Sequence, residues 1–409
     1  MTAPTLSYRQ LLRVPEMRAL LLATVLSRMG GRMLTLAIVL YALAHARSPE
    51  LAGWLAFAVV APGLAISPIA GALIDRAGAV WAITADMCAS AACLLALALV
   101  DLLGWASTPV LLSLTTLFSL TSPLSTAGIR TLLPRLVPPE VLDRANALDT
   151  SIHGLTDIVG PALAGLSMGL VGAVPTFCAI AMLYACAALC IGGVHRVHVR
   201  PARLLRVRLL HDAWTGLVRV VRQPTLRGLA ICYGLYQITW GALIVLVPVV
   251  AARHFGTDSG EWMAGLLWAG AGAAGVIGAL SVGQLGALGR ERRVMAAGMV
   301  FTAVATWPVA AMFGVAGLVV GLMLISVAAG PIDVGLLTLR QRRTDPAELG
   351  RVLSVSMSLN LAGIPIGSAL AGLLLTWSLP ITFAIAALAS LLAAATVALV
   401  PRRDRSGHA

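Results

Sequence analysis

The stretch TLLPRLVPPEVLDRANALDTSIHGLTDIVGPALAG, residues 131–165, returns as TLRQRRTDPAELGRVLSVSMSLNLAGIPIGSALAG, residues 338–372. Arg144 and Arg351, Gly160 and Gly367, and Gly165 and Gly372 each stand 207 positions apart. Thr131/Thr338, Leu132/Leu339, Arg135/Arg342, Pro139/Pro346, Leu142/Leu349 and Ser151/Ser358 keep the same shift, as does Gly71-Ala72-Leu73 with Gly278-Ala279-Leu280. Alanine- and leucine-rich helices resemble one another by chance, but glycine, proline and arginine matched through a polar loop do not arise that way. The chain is therefore read as two related halves.

The repeat is set in apolar sequence. Of 409 residues, 59% are hydrophobic and 11% charged, and the mean hydropathy of +0.92 makes a bilayer the natural solvent. Apolar stretches cover 19–44, 52–74, 79–103, 108–133, 149–172, 175–194, 228–252, 262–286, 294–314, 316–337, 353–377 and 379–400. Each suffices for a core that needs about 20 helical residues. Twelve spans in two parallel six-span halves predict an all-α membrane protein of two pseudo-symmetric six-helix bundles, related by an axis along the membrane normal. The expected domains are 1–194, a linker 195–227, and 228–409. The first stretch exceeds a signal-peptide core and has no small-residue cleavage site behind it, so it is expected to remain as the first helix.

All 29 basic residues are arginine, and the net charge is +12. With twelve spans both termini share a side, and the arginines sort unevenly. One set of loops and tails holds Arg9, Arg13, Arg18, Arg76, Arg135, Arg144, the run from Arg196 to Arg227, Arg290, Arg292, Arg293, Arg340, Arg342, Arg343, Arg351 and the tail from Arg402; the other holds Arg47 and Arg253. By the positive-inside rule the termini are expected in the cytoplasm, in a bacterial inner membrane whose anionic lipids meet the charge. Nucleic acid is not needed to explain it. All six cysteines fall inside spans and read as apolar fillers rather than disulfides or metal ligands.

Within 195–227, Leu210, Trp214, Leu217, Val218 and Val221 recur at helical spacing among arginines, which predicts an amphipathic tether on the membrane surface. Glycine and proline gather in the second, fifth, eighth and eleventh stretches, equivalent under a six-helix repeat, and suggest a moving interface between bundles.

Between the second and third stretches stands Gly71-Ala-Leu73-Ile-Asp75-Arg76-Ala-Gly78. It resembles the signature loop of the major facilitator superfamily, departing from it at Ala79 and Val80, where basic residues are usual. The resemblance implies that Asp75 latches the start of the eleventh helix, a placement that suits a carboxylate near a helix N-terminus, with Asp86 and Arg130 as the remaining relay. Gly160-Pro161-Ala-Leu-Ala-Gly165 is similar to the glycine–proline motif of exporters that exchange protons for drugs. Leu133-Pro134-Arg135, Pro138, Asn146 and Gly350-Arg351-Val resemble macrolide-efflux and siderophore-exporter relatives. In the first stretch, Ser27-Arg28-Met-Gly30-Gly31-Arg32 has glycine where many relatives place an aspartate.

Ionisable groups inside spans are costly and face a partner or a cavity. Arg28 and Arg32 lie at i, i+4. They either pair with Asp86, Asp157 or Asp333 and hold helices together, or converge on a substrate, in which case an anion or carboxylate is favoured. His153 and Asp157, one turn apart, are the preferred proton-coupling candidates, or else a static hydrogen bond; Asp333, after Gly330-Pro331, is a third. Gln237, Trp240 and Asn360 are expected substrate contacts.

The leading expectation is a secondary active transporter, a proton-coupled exporter of a small amphipathic compound (a drug, macrolide or siderophore-like metabolite), monomeric and without cofactor or metal. Its partners are that compound, protons and membrane lipids. An importer or lipid flippase on the same scaffold and a transport-inactive sensor are the alternatives. An enzyme is disfavoured, because the loops hold no nucleophile, metal or nucleotide constellation; His195, His198 and His211 lack acidic or cysteine partners.

Overall fold

The computed structural model describes residues 15–137, 142–194, 218, 220–285, 290–343, 356 and 359–401. Among them the chain is helical throughout, as a bilayer requires, since each backbone amide must find its partner within its own segment. The elements are α1 (Pro15–His45), α2 (Pro49–Ala77), α3 (Ala79–Leu102), α4 (Thr108–Leu136), α5 (Leu142–Val171) and α6 (Ala173–Gly192). A long run from Pro224 breaks at Gly256 into α7 (Pro224–Gly256) and α8 (Ser259–Ser281). Then follow α9 (Glu291–Met312), α10 (Gly314–Arg342), α11 (Leu359–Leu375) and α12 (Leu379–Leu399).

Eleven of these twelve are long and apolar enough to cross a membrane, and α11 is the shorter apolar helix. The expected count and all-α class are borne out. The edges moved: α5 begins at Leu142 rather than 149, and α4 runs through Pro134 to Leu136.

Turn chemistry follows the side of the molecule. Odd helices pass to even ones through links of a few residues, and the first five of these reverse at a left-handed residue: Arg47, Gly104, Gly172, Gly256 and Gly314, with φ between 48° and 80°. Glycine adopts this conformation without the Cβ clash that other residues meet. Trp105 and Trp377 stand exposed in two of the links on this face, a placement suited to a headgroup interface. Opposite, Gly78 (φ 91°) ends α2, its amide donating to the Ile74 carbonyl at 2.8 Å, and α3 starts one residue later. This is why the signature loop closes on glycine.

The described chain groups into two compact units, Met1–Ala37 with Ala61–Leu209, and Ile38–Val60 with Leu210–Ala409. The duplicated sequence packs in duplicate. In the first unit Gly128 of α4 lies against Ile83 and the Ala79 carbonyl of α3; in the second Gly335 of α10, its repeat partner, lies against Met295 and the Glu291 carbonyl of α9. Gly160 brings α5 onto α1 at Arg32, and Gly367 brings α11 onto α7 at Ile238. Gly63 meets Ser119 of α4, and Gly278 meets Val327 of α10. Gly63, Gly160, Gly278 and Gly367 thus close seams within each half, where a Cβ would strike neighbouring atoms. Gly372 has a further neighbour in its unit, Gly53.

Hydroxyls in the spans mostly bond back to their own helix: Thr24, Thr35, Thr84, Thr115 and Thr131 each donate to the carbonyl four residues earlier, at 2.7–2.9 Å. Thr239 instead crosses from α7 to α12, donating to the Ala386 carbonyl at 2.8 Å beside Ser390. At the arginine-rich end of the second unit, Arg342 pairs with Glu291 at 3.0 Å, and Arg343 donates to Thr225 and the Pro401 carbonyl. The amphipathic tether expected over 195–227 lies for the most part outside the described residues.

Candidate functional site

Two ion pairs join α1 to α5. Arg28 and Arg32 occupy successive turns of one face, and Asp149, His153 and Asp157 occupy three successive turns of the facing helix. Arg28 reaches the Asp149 carboxylate at 3.0 Å and its carbonyl at 2.9 Å, and Arg32 Nε lies 2.5 Å from Asp157 Oδ1. Arg32 Nη2 also stands 3.4 Å from His153 Nε2, which serves as acceptor when that nitrogen carries no proton.

The helices come this close because Gly160 carries no side chain: a Cβ there would sit 2.5 Å from the Arg32 Cβ. The Gly160-Pro161 motif and the Arg32–Asp157 pair are therefore parts of one seam; Gly165 lies buried five residues along α5. On α1, Gly30 and Gly31 leave room for Tyr184 of α6, whose ring and hydroxyl occupy the space that side chains would take. That explains glycine where an aspartate is usual in relatives.

The two pairs differ in setting. Arg28 and Asp149 side chains are 16% and 21% exposed, whereas Arg32 and Asp157 are 42% and 40% exposed. Of the two readings of the helix-1 arginines, pairing is the one observed. Arg32 has its expected partner Asp157, but the partner of Arg28, Asp149, was not among the candidates. Both guanidinium charges are already balanced, so nothing here calls for an anionic substrate.

Asp86 is almost wholly buried in α3 and accepts from Ser90 at 3.3 Å, with the Thr121 and Ser125 hydroxyls of α4 also hydrogen-bonded to it. Arg130 is exposed and the relay expected between it and Asp86 is not formed: hydroxyls satisfy the carboxylate instead. In the signature loop, a Cβ built on Gly71 meets no atom of the described residues within 4 Å, and Arg76 is exposed. The Asp75 side chain and most of residues 344–358 lie outside the described residues, so the latch falls there too.

In the second unit, Asp333 of α10 is exposed and accepts a hydrogen bond from the Tyr233 hydroxyl of α7 at 2.6 Å. Tyr233 and Tyr236 have ring centroids 5.7 Å apart, and Trp240 lies 6.2 Å from Trp268 of α8. Gln237 is buried on α7 beside Gly363. Asn360, expected at a substrate, is buried; its amide donates to the Ser356 carbonyl at 3.1 Å and accepts from Arg340 Nη2 at 2.5 Å. Arg340, placed in a loop by its charge, is in fact 1% exposed at the end of α10. No cluster of three or more metal-ligating side chains occurs among the described residues.

An all-helical chain of a dozen apolar helices, with ionisable pairs between spans and packing repeated in its two halves, defines a polytopic membrane protein of a transporter class. The Major Facilitator Superfamily profile matches residues 20–290 and 229–409, and the chain belongs to that superfamily. It is 51% identical over 396 residues, 97% of each chain, to the uncharacterized MFS-type transporter y4rN of Sinorhizobium fredii. It is 27% identical over 370 residues, 86% of this chain and 87% of the relative, to the multidrug efflux pump Tap of Mycolicibacterium fortuitum. Among solved structures it resembles the nucleoside transporter NupG (TM-score 0.73, 13% identity, covering 94% and 98%). It also resembles a bacterial homologue of the iron transporter ferroportin in its inward-facing state (TM-score 0.71, 19% identity, covering 95% and 98%).

Proposed function

We propose that this superfamily member is a proton-coupled exporter of a small amphipathic organic compound, working by alternating access in the cytoplasmic membrane with both termini inside. The observation that carries the reading is the Arg32–Asp157 pair with His153 one turn away, held at the Gly160 seam. In this arrangement Asp157 is charged and His153 offers a lone pair. A proton on Asp157 removes the partner of Arg32; a proton on His153 turns an acceptor into a like charge beside it. Either event undoes the pair, so one proton suffices to alter how α1 and α5 meet. The half-exposed setting of the pair and its position within the spans support this reading.

Export is favoured over import by the Gly160-Pro161 motif and by similarity to Tap; orientation rests on the arginine asymmetry. In an efflux-deficient bacterium, the chain is expected to raise tolerance to some compounds of a toxic panel, and Asp157→Asn to abolish the gain at equal membrane abundance. Unchanged tolerance across a broad panel, with the wild-type protein present in the membrane, overturns the proposal.

A further inference from the structure

Most carboxylates within or beside the spans are already answered. Asp149 and Asp157 face arginines, Glu291 faces Arg342, and Asp86 is buried among hydroxyls. Asp333 differs: it is exposed, it lies in the span Gly314–Arg340, and its one polar partner among the described residues is the neutral Tyr233 hydroxyl. The next cation on its helix, Arg340, is two turns away, buried and held by Asn360. An uncompensated carboxylate in a membrane span is expensive, and such groups mark sites where charge is received.

What surrounds it is aromatic. Tyr233, Tyr236 and Trp240 fall at i, i+3 and i+7 of α7, on one face, and Trp268 of α8 extends the row. Asp333 accepts from the first of them, Tyr233. Tyr236 is wholly buried in the core of this half, its hydroxyl beside Trp240 and Thr302, and the buried Trp268 Nε1 completes no hydrogen bond among the described residues.

We propose that Asp333, Tyr233, Trp240 and Trp268 form a subsite for organic cations, an ammonium or related onium group carried on an apolar body. Aromatic faces attract cations through the ring quadrupole, and one carboxylate completes the charge. A metal ion fits less well, because it requires several oxygen ligands where this site has rings. The assignment rests on the exporter reading for its biological sense and names the substrate class.

The test is equilibrium dialysis of the purified full-length protein in detergent with radiolabelled tetraphenylphosphonium, against protein-free micelles, and with tetraphenylborate, an anion of the same shape. The cation is expected to bind saturably and about tenfold or more tightly than the anion. Asp333→Asn should cost the cation about tenfold and leave the anion unchanged, while Asp157→Asn keeps cation binding. Trp240→Leu, which preserves the charge, should weaken cation binding severalfold and serves if Asp333→Asn does not fold. Equal or tighter binding of the anion, or cation binding that survives Asp333→Asn in folded protein, overturns the proposal. Cation binding without any gain in drug tolerance would remove the exporter reading and leave the subsite standing; tolerance without cation preference would do the reverse.

Discussion

Two ion pairs with the same chemistry sit at different exposures. Arg28 and Asp149 are the more enclosed, and removing one partner from an enclosed pair strands the other charge, which costs up to about 3–5 kcal/mol when burial is complete. At partial exposure about 2 kcal/mol is the reasonable scale. Asp149→Asn is therefore expected to lower the melting temperature of the purified protein by several degrees, and the swap Arg28→Asp with Asp149→Arg to regain most of it. Asp157→Asn should melt near the wild type while losing activity. Melting curves in one detergent decide this, and equal shifts for both single variants would refute the division of labour. The Arg32–Asp157 pair was legible in sequence, since both residues lie well inside apolar stretches. Asp149 was not, because the polar run before residue 149 reads as loop, whereas the helix extends back to Leu142. The regular spacing of 149, 153 and 157 against 28 and 32 was the available signal. Tyr233 and Arg340 escaped for another reason: a tyrosine is unremarkable in a span, and arginine near a span end is normally assigned to water.

Among elements, the α1–α5 seam depends on one missing methyl group. Gly160→Leu is expected to force α5 from Arg32, separate both ion pairs and abolish activity with a clear loss of melting temperature. Gly154, on the same helix, has nothing within 4 Å of a built Cβ. Gly154→Ala should leave activity intact and add up to about 1 kcal/mol by restricting the unfolded chain. Thermal unfolding and tolerance assays on the two variants test this, and comparable damage from both would show that the glycines act by flexibility instead. Composition revealed that glycine gathers in α2, α5, α8 and α11. Which backbone each glycine admits depends on helix neighbours, and those are fixed by packing that no single stretch encodes.

For the molecule as a whole, the repeat at a constant shift carried most of the fold. Together with the twelve apolar stretches it predicted a dozen helices and an all-α architecture, and the matching surroundings of Gly128 and Gly335, and of Gly160 and Gly367, are its imprint in three dimensions. Sidedness is expected to follow from charge. A fluorescent protein fused after Ala409 is expected to be bright, and alkaline phosphatase inserted at Gly104 to be active, since the positive-inside rule puts the arginine-poor links outside. The opposite pair of results would invert the topology.

The tight left-handed links have a consequence for how the chain is made. Gly172 is the single residue between α5 and α6, and α1 and α2 are separated by Ala46, Arg47 and Ser48. A connector so short cannot span the bilayer while its second helix waits in water, because a crossing needs about 20 helical residues. Helices joined by so short a connector, α5 with α6 at Gly172 and equally α2 with α3 at Gly78, are therefore expected to enter the bilayer together. A strained residue at Gly172 or Gly256 would be felt at insertion, before any substrate is met.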